Sequence, residues 1–196
     1  MSEQKISFIK GGHGDIAVHD WGHDRPRFLA LLVHGYGEHL GRYQYVARTL
    51  EAQGARVFGP LIGERTLISD LLTLPEIPDT PLDTATLSRD PSVGEAYQAD
   101  PLVWHGPFKR PTLRAMQQIL AKINAGPGFG TLPTLWIHGD DDRLVLMAES
   151  QTAIDRLKGS DFEAMVNPGG RHESFNETNK DQILRRITDF IERVLG

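Results

Sequence analysis

An unbroken apolar run, Phe28 to Val33, stops abruptly at His34-Gly35-Tyr36-Gly37 and leads straight into helix-forming sequence. Six apolar residues without polar alternation predict a strand buried on both faces, as in a parallel sheet with helices above and below. Two glycines let the backbone turn sharply at the carboxyl end of that strand, where open α/β sheets place their ligands. Backbone N–H groups in such a turn can face a developing oxyanion; a plain strand-to-helix turn without chemistry is the alternative.

The rest of the chain repeats the alternation. Ile6 and Phe8, then Ile16 to Val18, flank the glycine-rich turn at 11–15 and predict a hairpin at a sheet edge, with His13 and His19 exposed on it. A helix over Arg42 to Gln53 should carry Tyr43, Val46, Ala47 and Leu50 on one face and stop at Gly54, and Arg56 to Phe58 reads as a short strand. From Leu61 to Lys109 no long periodic segment appears. Prolines are frequent there, and Leu71, Leu72, Leu74, Tyr97, Leu102, Val103 and Trp104 offer anchors, so the stretch reads as an irregular cap or linker. Order returns with Leu113, Met116, Ile119, Leu120 and Ile123 at helical spacing, closed by Gly126-Pro127. A buried strand at Leu135–Ile137, a helix through Ala153, Ile154 and Leu157, a strand at Phe162–Val166 and a helix over Ile183–Leu195 follow. Strands alternating with helices imply a doubly wound, mostly parallel α/β domain.

Composition narrows the partners. With 196 residues the chain can bury a sizeable core, and a net charge of −5 with scattered basic residues gives no footprint for nucleic acid or an anionic membrane. A small-molecule or lipid-like partner is expected. Cysteine is absent, which excludes thiol catalysis and a disulfide framework. The first residues lack the apolar core of a secretory signal and no run approaches a membrane span, so a cytoplasmic location is the expectation.

Three strands end in polar turns, at Tyr36, Asp142 and His172, and a parallel sheet would bring those turns to one edge. A carboxylate on one turn and an imidazole on the next can pair, the acid fixing the tautomer and stabilising the imidazolium. Asp140 and Asp141 with His138 or His172 are an alternative metal set. Three consecutive acids alternate in direction and lack facial ligand spacing, which favours a solvated, capping acidic turn. His34 and His138 are expected to shape their turns through hydrogen bonds.

HGYGEHLGRY, SRDPSVGEAYQADPLVWHG, HGDDDRL and GGRHESFNE, in that order, resemble the monoacylglycerol lipase and lysophospholipase branch of the α/β-hydrolases. The resemblance implies carboxylic ester hydrolysis of acylglycerols or lysophospholipids without a cofactor or metal. Asp142 matches the triad acid, His172 the triad base, Tyr36 an oxyanion-hole N–H, and Glu38 and Arg42 polar positions near the glycerol head group. Residues 1–60 correspond to the N-terminal part of the core, 61–109 to the latter part of the cap and 110–196 to the C-terminal part of the core.

One departure outweighs these matches: the sequence has no G-x-S-x-G nucleophile elbow at any serine. Gly59-Pro60 joins directly to cap-like sequence, where two strands and two helices, on the order of 60–90 residues, are expected. The fold is then an α/β-hydrolase shortened by loss of central strands. Three readings follow: an internally deleted, inactive hydrolase; a chain missing a block that its active parent has; or a non-catalytic acyl-binding or interaction module. Closure of the shortened sheet predicts that Phe28–Val33 pairs with Leu135–Ile137 and that bare apolar faces promote a homodimer or aggregation, while the intact, local unit from Leu135 to His172 predicts that Asp142 and His172 stay within hydrogen-bond reach. Ser92 is the first serine to examine should a nucleophile exist.

Overall fold

The computed structural model describes residues 4–11, 14–22, 24–60, 74–77, 79 and 81–196. Leu71, Leu72 and His13, singled out above, lie outside them. The chain divides into two compact units, one of Met1–Glu64 with Pro101–Trp104, the other of Arg65–Asp100 with His105–Gly196.

The first unit is a four-stranded mixed sheet in the order β1-β2-β4-β3. Strands β1 (Gln4–Gly11) and β2 (Gly14–Trp21) form the expected hairpin, β4 (Ala55–Pro60) pairs antiparallel with β2, and β3 (Phe28–Leu31) lies parallel to β4. His19 is not on an edge: β2 sits between β1 and β4, and the side chain is half-buried. A 3₁₀ turn over Leu40–Tyr43 leads into helix α1 (Gln44–Ala52), which buries Val46, Ala47 and Leu50 and packs on β4 and β2. The chain leaves α1 through Gly54 at φ +90°, a left-handed conformation that favours glycine.

Two expectations fail at β3. Its apolar residues are not covered on both faces: Leu29, Leu31 and the following Val33 are 69%, 67% and 58% exposed. An unbroken apolar run signals two covered faces only where helices lie on both, and β3 closes the sheet with β4 as its one hydrogen-bonded neighbour among the described residues. Nor does β3 pair with the strand at Leu135–Ile137, which belongs to a separate two-stranded sheet. Crossover helices direct parallel neighbours together, and α1 returns the chain from β3 to β4, its parallel neighbour.

The second unit holds that sheet, β5 (Thr134–Gly139) parallel to β6 (Phe162–Asn167), joined by helix α4 (Met147–Leu157). Helix α5 (Lys180–Leu195) buries Ile183 and Leu184. Within the stretch expected to be irregular lies helix α2 (Pro91–Ala99), started by Asp90 as N-cap and Pro91 in the first turn. That start signal was legible; Gly94 and weak amphipathicity hid the helix. Helix α3 (Arg110–Ala125) buries Leu113 and Met116 against Ile77 and Phe108. The remainder of its predicted stripe, Ile119, Leu120 and Ile123, is exposed, because the apolar spacing of a helix specifies a face but not a neighbour for it.

Candidate active site

The two strands of the second unit end side by side, and glycine lets their turns touch. A Cβ on Gly139 would lie 2.2 Å from the Gly170 carbonyl oxygen, so only glycine permits the close backbone approach. Across it the Asp141 N–H donates to Gly170 O at 3.0 Å and the Asp140 N–H to Asn167 O at 3.3 Å. The β6 turn reverses through Gly169 at φ +68°, whose N–H donates to the Asp140 carboxylate at 2.6 Å. Asn167, wholly buried, exchanges side-chain hydrogen bonds with Asn179 and ties the turn to the start of α5.

Asp142 and His172 meet in this frame. Asp142 Oδ1 accepts the N–H groups of Leu144 at 2.9 Å and Val145 at 3.0 Å, while Oδ2 lies 3.0 Å from His172 Nδ1. The carboxylate is buried and the imidazole part-exposed. Burial acts to raise the Asp142 pKa, but it is outweighed by the His172 hydrogen bond, the Val145 N–H, the His172 charge and the Leu144 N–H. The carboxyl is therefore held below the usual range. His138 presents Nε2 at 3.9 Å to the same Oδ2 and turns Nδ1 toward the Gly139 carbonyl oxygen at 2.8 Å. An ionised acid against a ring nitrogen is the arrangement that leaves the far nitrogen to act as a base.

The acids flanking Asp142 have other work. Asp140 accepts the Gly169 N–H, and Asp141 pairs with Arg143 at 3.2 Å and approaches Arg171 Nε at 3.8 Å. Among the described residues no three His, Asp or Glu side chains converge as metal ligands would.

Tyr36, Glu38 and Arg42 belong to the first unit, in the turn after β3. Gly37 takes φ +70°, and its carbonyl accepts the Trp104 N–H at 2.6 Å. Glu38 is the hub of this turn: Oε1 accepts the Gly35 N–H at 2.6 Å and the Tyr43 hydroxyl at 2.7 Å, and Oε2 pairs with Arg42. With both side chains largely shielded from solvent, Glu38 and Arg42 brace the turn that carries Tyr36. His34, also buried, lies 2.7 Å through Nδ1 from the Gly35 carbonyl oxygen.

Three serines of the second unit are spoken for by the scaffold. Ser92 donates to Asp90, its N-cap neighbour; Ser88, buried, donates to Asn176 O; Ser150 accepts from Trp136 Nε1. Sequence reading assigned no role to Glu177 or Arg89. Glu177 is buried and accepts hydrogen bonds from Arg89 N at 3.2 Å, Arg89 Nε at 2.8 Å, Arg171 N at 2.8 Å and Thr178 N at 3.1 Å. Burial acts to raise its pKa, but the N–H of Arg171, the guanidinium and N–H of Arg89 and the N–H of Thr178 together lower it. Arg89 and Glu177 are 88 positions apart, too far for any local spacing rule to connect them.

Comparison with known proteins bears on the family and the fold. The monoacylglycerol lipase of Mycolicibacterium smegmatis (strain ATCC 700084 / mc(2)155) is 27% identical over 267 residues, covering 94% of this chain and 95% of that protein. An alignment of 267 residues against a chain of 196 leaves positions of the relative without a counterpart here. Among solved structures, a carboxyl esterase from Bacillus coagulans superposes with a TM-score of 0.79 at 16% identity, covering all of both chains. A soluble variant of the Saccharomyces cerevisiae monoglyceride lipase gives 0.74 at 14% identity, covering 98% of this chain and 97% of that one. At such identities the likeness is one of fold, a shortened α/β-hydrolase fold. The family model described as serine aminopeptidase, S33, matches residues 65–179, more than half of the sequence. The chain belongs to that family, in the monoacylglycerol lipase-like branch of the α/β-hydrolases.

Proposed function

We propose that this chain is a monoacylglycerol lipase-like protein that keeps the acid–base half of a serine-hydrolase site and has no nucleophile, so that it does not turn over carboxylic esters. Asp142 is the acid, His172 the base, and Tyr36 contributes one oxyanion N–H; Glu38 and Arg42 hold that donor turn on the head-group side. Residues 1–60 and 110–196 are the two ends of the hydrolase core and 61–109 the latter part of its cap. The observation that carries the reading is the Asp142–His172 pair at 3.0 Å in a chain without a G-x-S-x-G elbow. Attack on an ester carbonyl needs a hydroxyl within reach of the imidazole and facing oxyanion donors. With the base alone, only weak general-base chemistry on water is left. Purified chain should hydrolyse monoacylglycerols, lysophospholipids and short-chain nitrophenyl esters no faster than a His172→Ala variant; turnover that this substitution abolishes would refute the reading.

A second reading, a non-catalytic interaction module, is favoured by one observation: the exposed Leu29 and Leu31 on a strand at the sheet edge, with Val33 exposed just beyond it. An uncharged apolar edge strand is a template for pairing with another chain, and a homodimer is the simplest product. Sedimentation should show concentration-dependent association that Leu31→Lys weakens. A monomer at all concentrations would remove this reading.

A further inference from the structure

The loop that carries His172 is held from two sides. On one side stands the β5–β6 sheet, already described. On the other, residues 85–89 run along 171–177 and are bonded to it repeatedly. The His172 N–H donates to Thr86 O at 3.3 Å and the Glu173 N–H to Leu87 O at 2.8 Å. Arg171 Nη1 donates to Ala85 O at 2.6 Å and Ser88 O at 2.9 Å, and the Ser88 hydroxyl to Asn176 O at 2.8 Å.

One carboxylate closes this ladder. Glu177 Oε1 accepts both the Arg89 N–H and the Arg171 N–H, and Oε2 accepts Arg89 Nε, so a single buried charge spans the two segments one residue before the imidazole. Arg89 is fixed in turn by Pro168 O at 3.2 Å and Asn179 Oδ1 at 3.0 Å. A half-satisfied network around a buried carboxylate costs more than an apolar contact, which makes every donor here consequential.

We propose that Glu177 is a positioning residue for His172: through Arg89 and the Arg171 N–H it clamps residues 85–89 to the imidazole loop and sets the orientation in which the ring meets Asp142. The role lies in the geometry of the base, since Glu177 itself contacts backbone N–H groups and a guanidinium. It rests on the reading of Asp142 and His172 as an acid–base pair, and it extends that reading to the stretch read as cap. The segment leading into α2 becomes part of the wall that aims the base.

Nuclear magnetic resonance of the full chain, uniformly labelled with nitrogen-15, tests the role without needing activity. Three spectra are compared, wild type, Asp142→Asn and Glu177→Gln, together with amide exchange at His172 and Glu173. The expected result is an Asp142-dependent, downfield His172 ring N–H in the wild type. In Glu177→Gln this signal should be displaced or lost, and the His172 and Glu173 amides should exchange at least tenfold faster while β5 and β6 stay protected. If Glu177→Gln does not fold, Arg89→Gln, which leaves the carboxylate its backbone donors, should give the same changes in smaller measure. A wild-type ring signal kept in both clamp variants, even with a lowered melting temperature, would overturn the positioning role alone and leave a merely structural carboxylate. Identical ring spectra of wild type and Asp142→Asn would instead sink the pair, and the positioning role with it.

Discussion

The turn after β3 and the turns after β5 and β6 come from the same kind of sequence, an apolar strand ending in glycine and polar residues, yet they end in different states. After β5 and β6 each strand has the other beside it, and Gly139 and Gly170 bring the turns into backbone contact that sets Asp142 against His172. After β3 the turn is as tightly braced, by Glu38, Arg42 and Tyr43, but the strand leading into it shows Leu29 and Leu31 to solvent. A turn can be fixed by its own side chains; a strand cannot be buried by its own sequence. What the fold keeps is what one strand–helix–strand unit contains, and what it leaves open is what needs a neighbour from elsewhere in the chain.

The largest effect expected from this contrast comes from supplying that neighbour. Insertion after Pro60 of the elbow-bearing strands and helices of a related lipase should cover β3 and restore a nucleophile. Nitrophenyl ester hydrolysis should then rise by on the order of 10³-fold or more, with the gain abolished by His172→Ala or Asp142→Asn. A folded insertion variant with no gain would mean that the retained pair is not aimed at the place where an elbow serine belongs.

The contrast in burial is measurable by itself. Ile183→Ala on α5 removes a wholly buried side chain and should lower stability by about 2–5 kcal/mol, whereas Leu31→Thr on β3 should stay within about 0.5 kcal/mol. Urea unfolding of both variants is the check. Equal losses would show that β3 is covered in solution.

The two units should also respond to acid in different windows. In the first, burial, followed by the charges of His39 and His34, lowers the His19 pKa from its ordinary value of 6.5. A depressed histidine contributes stability above that unfolded value and loses it as pH falls through the folded one, so this contribution fades below about pH 6.5. In the second, Asp142 and Glu177 are depressed from ordinary values of 3.8 and 4.5. Their contribution is intact above those values and is lost only as pH falls through the still lower folded ones. Amide protection, corrected for intrinsic exchange, should weaken around β2 between pH 7 and 5 while the carboxylate-held loop at 168–179 holds to about pH 4. Simultaneous loss would mean that the units titrate as one.

Much of this was readable in advance because it is local. Strand β5, helix α4 and strand β6 follow from apolar spacing and glycine stops, and the Asp142–His172 meeting follows from their succession. The exposed face of β3 and the bare half of α3 were not readable, since periodicity names an apolar face and is silent on what covers it. The ladder between 85–89 and 171–177 was invisible for a related reason: backbone carbonyls of an irregular segment leave no side-chain pattern, and the one marked residue, Arg89, meets Glu177 only through the tertiary fold.

The central claim is that an assembled acid–base pair stands here without a nucleophile. The most direct test is reaction of the purified chain with a fluorophosphonate, which phosphonylates a serine hydroxyl only when a base and oxyanion donors activate it, read by intact mass. No adduct is predicted on the wild type, and the spectrum should match that of His172→Ala. A stoichiometric adduct on one serine, absent from His172→Ala, would contradict the account, and Ser92 is the first position to map.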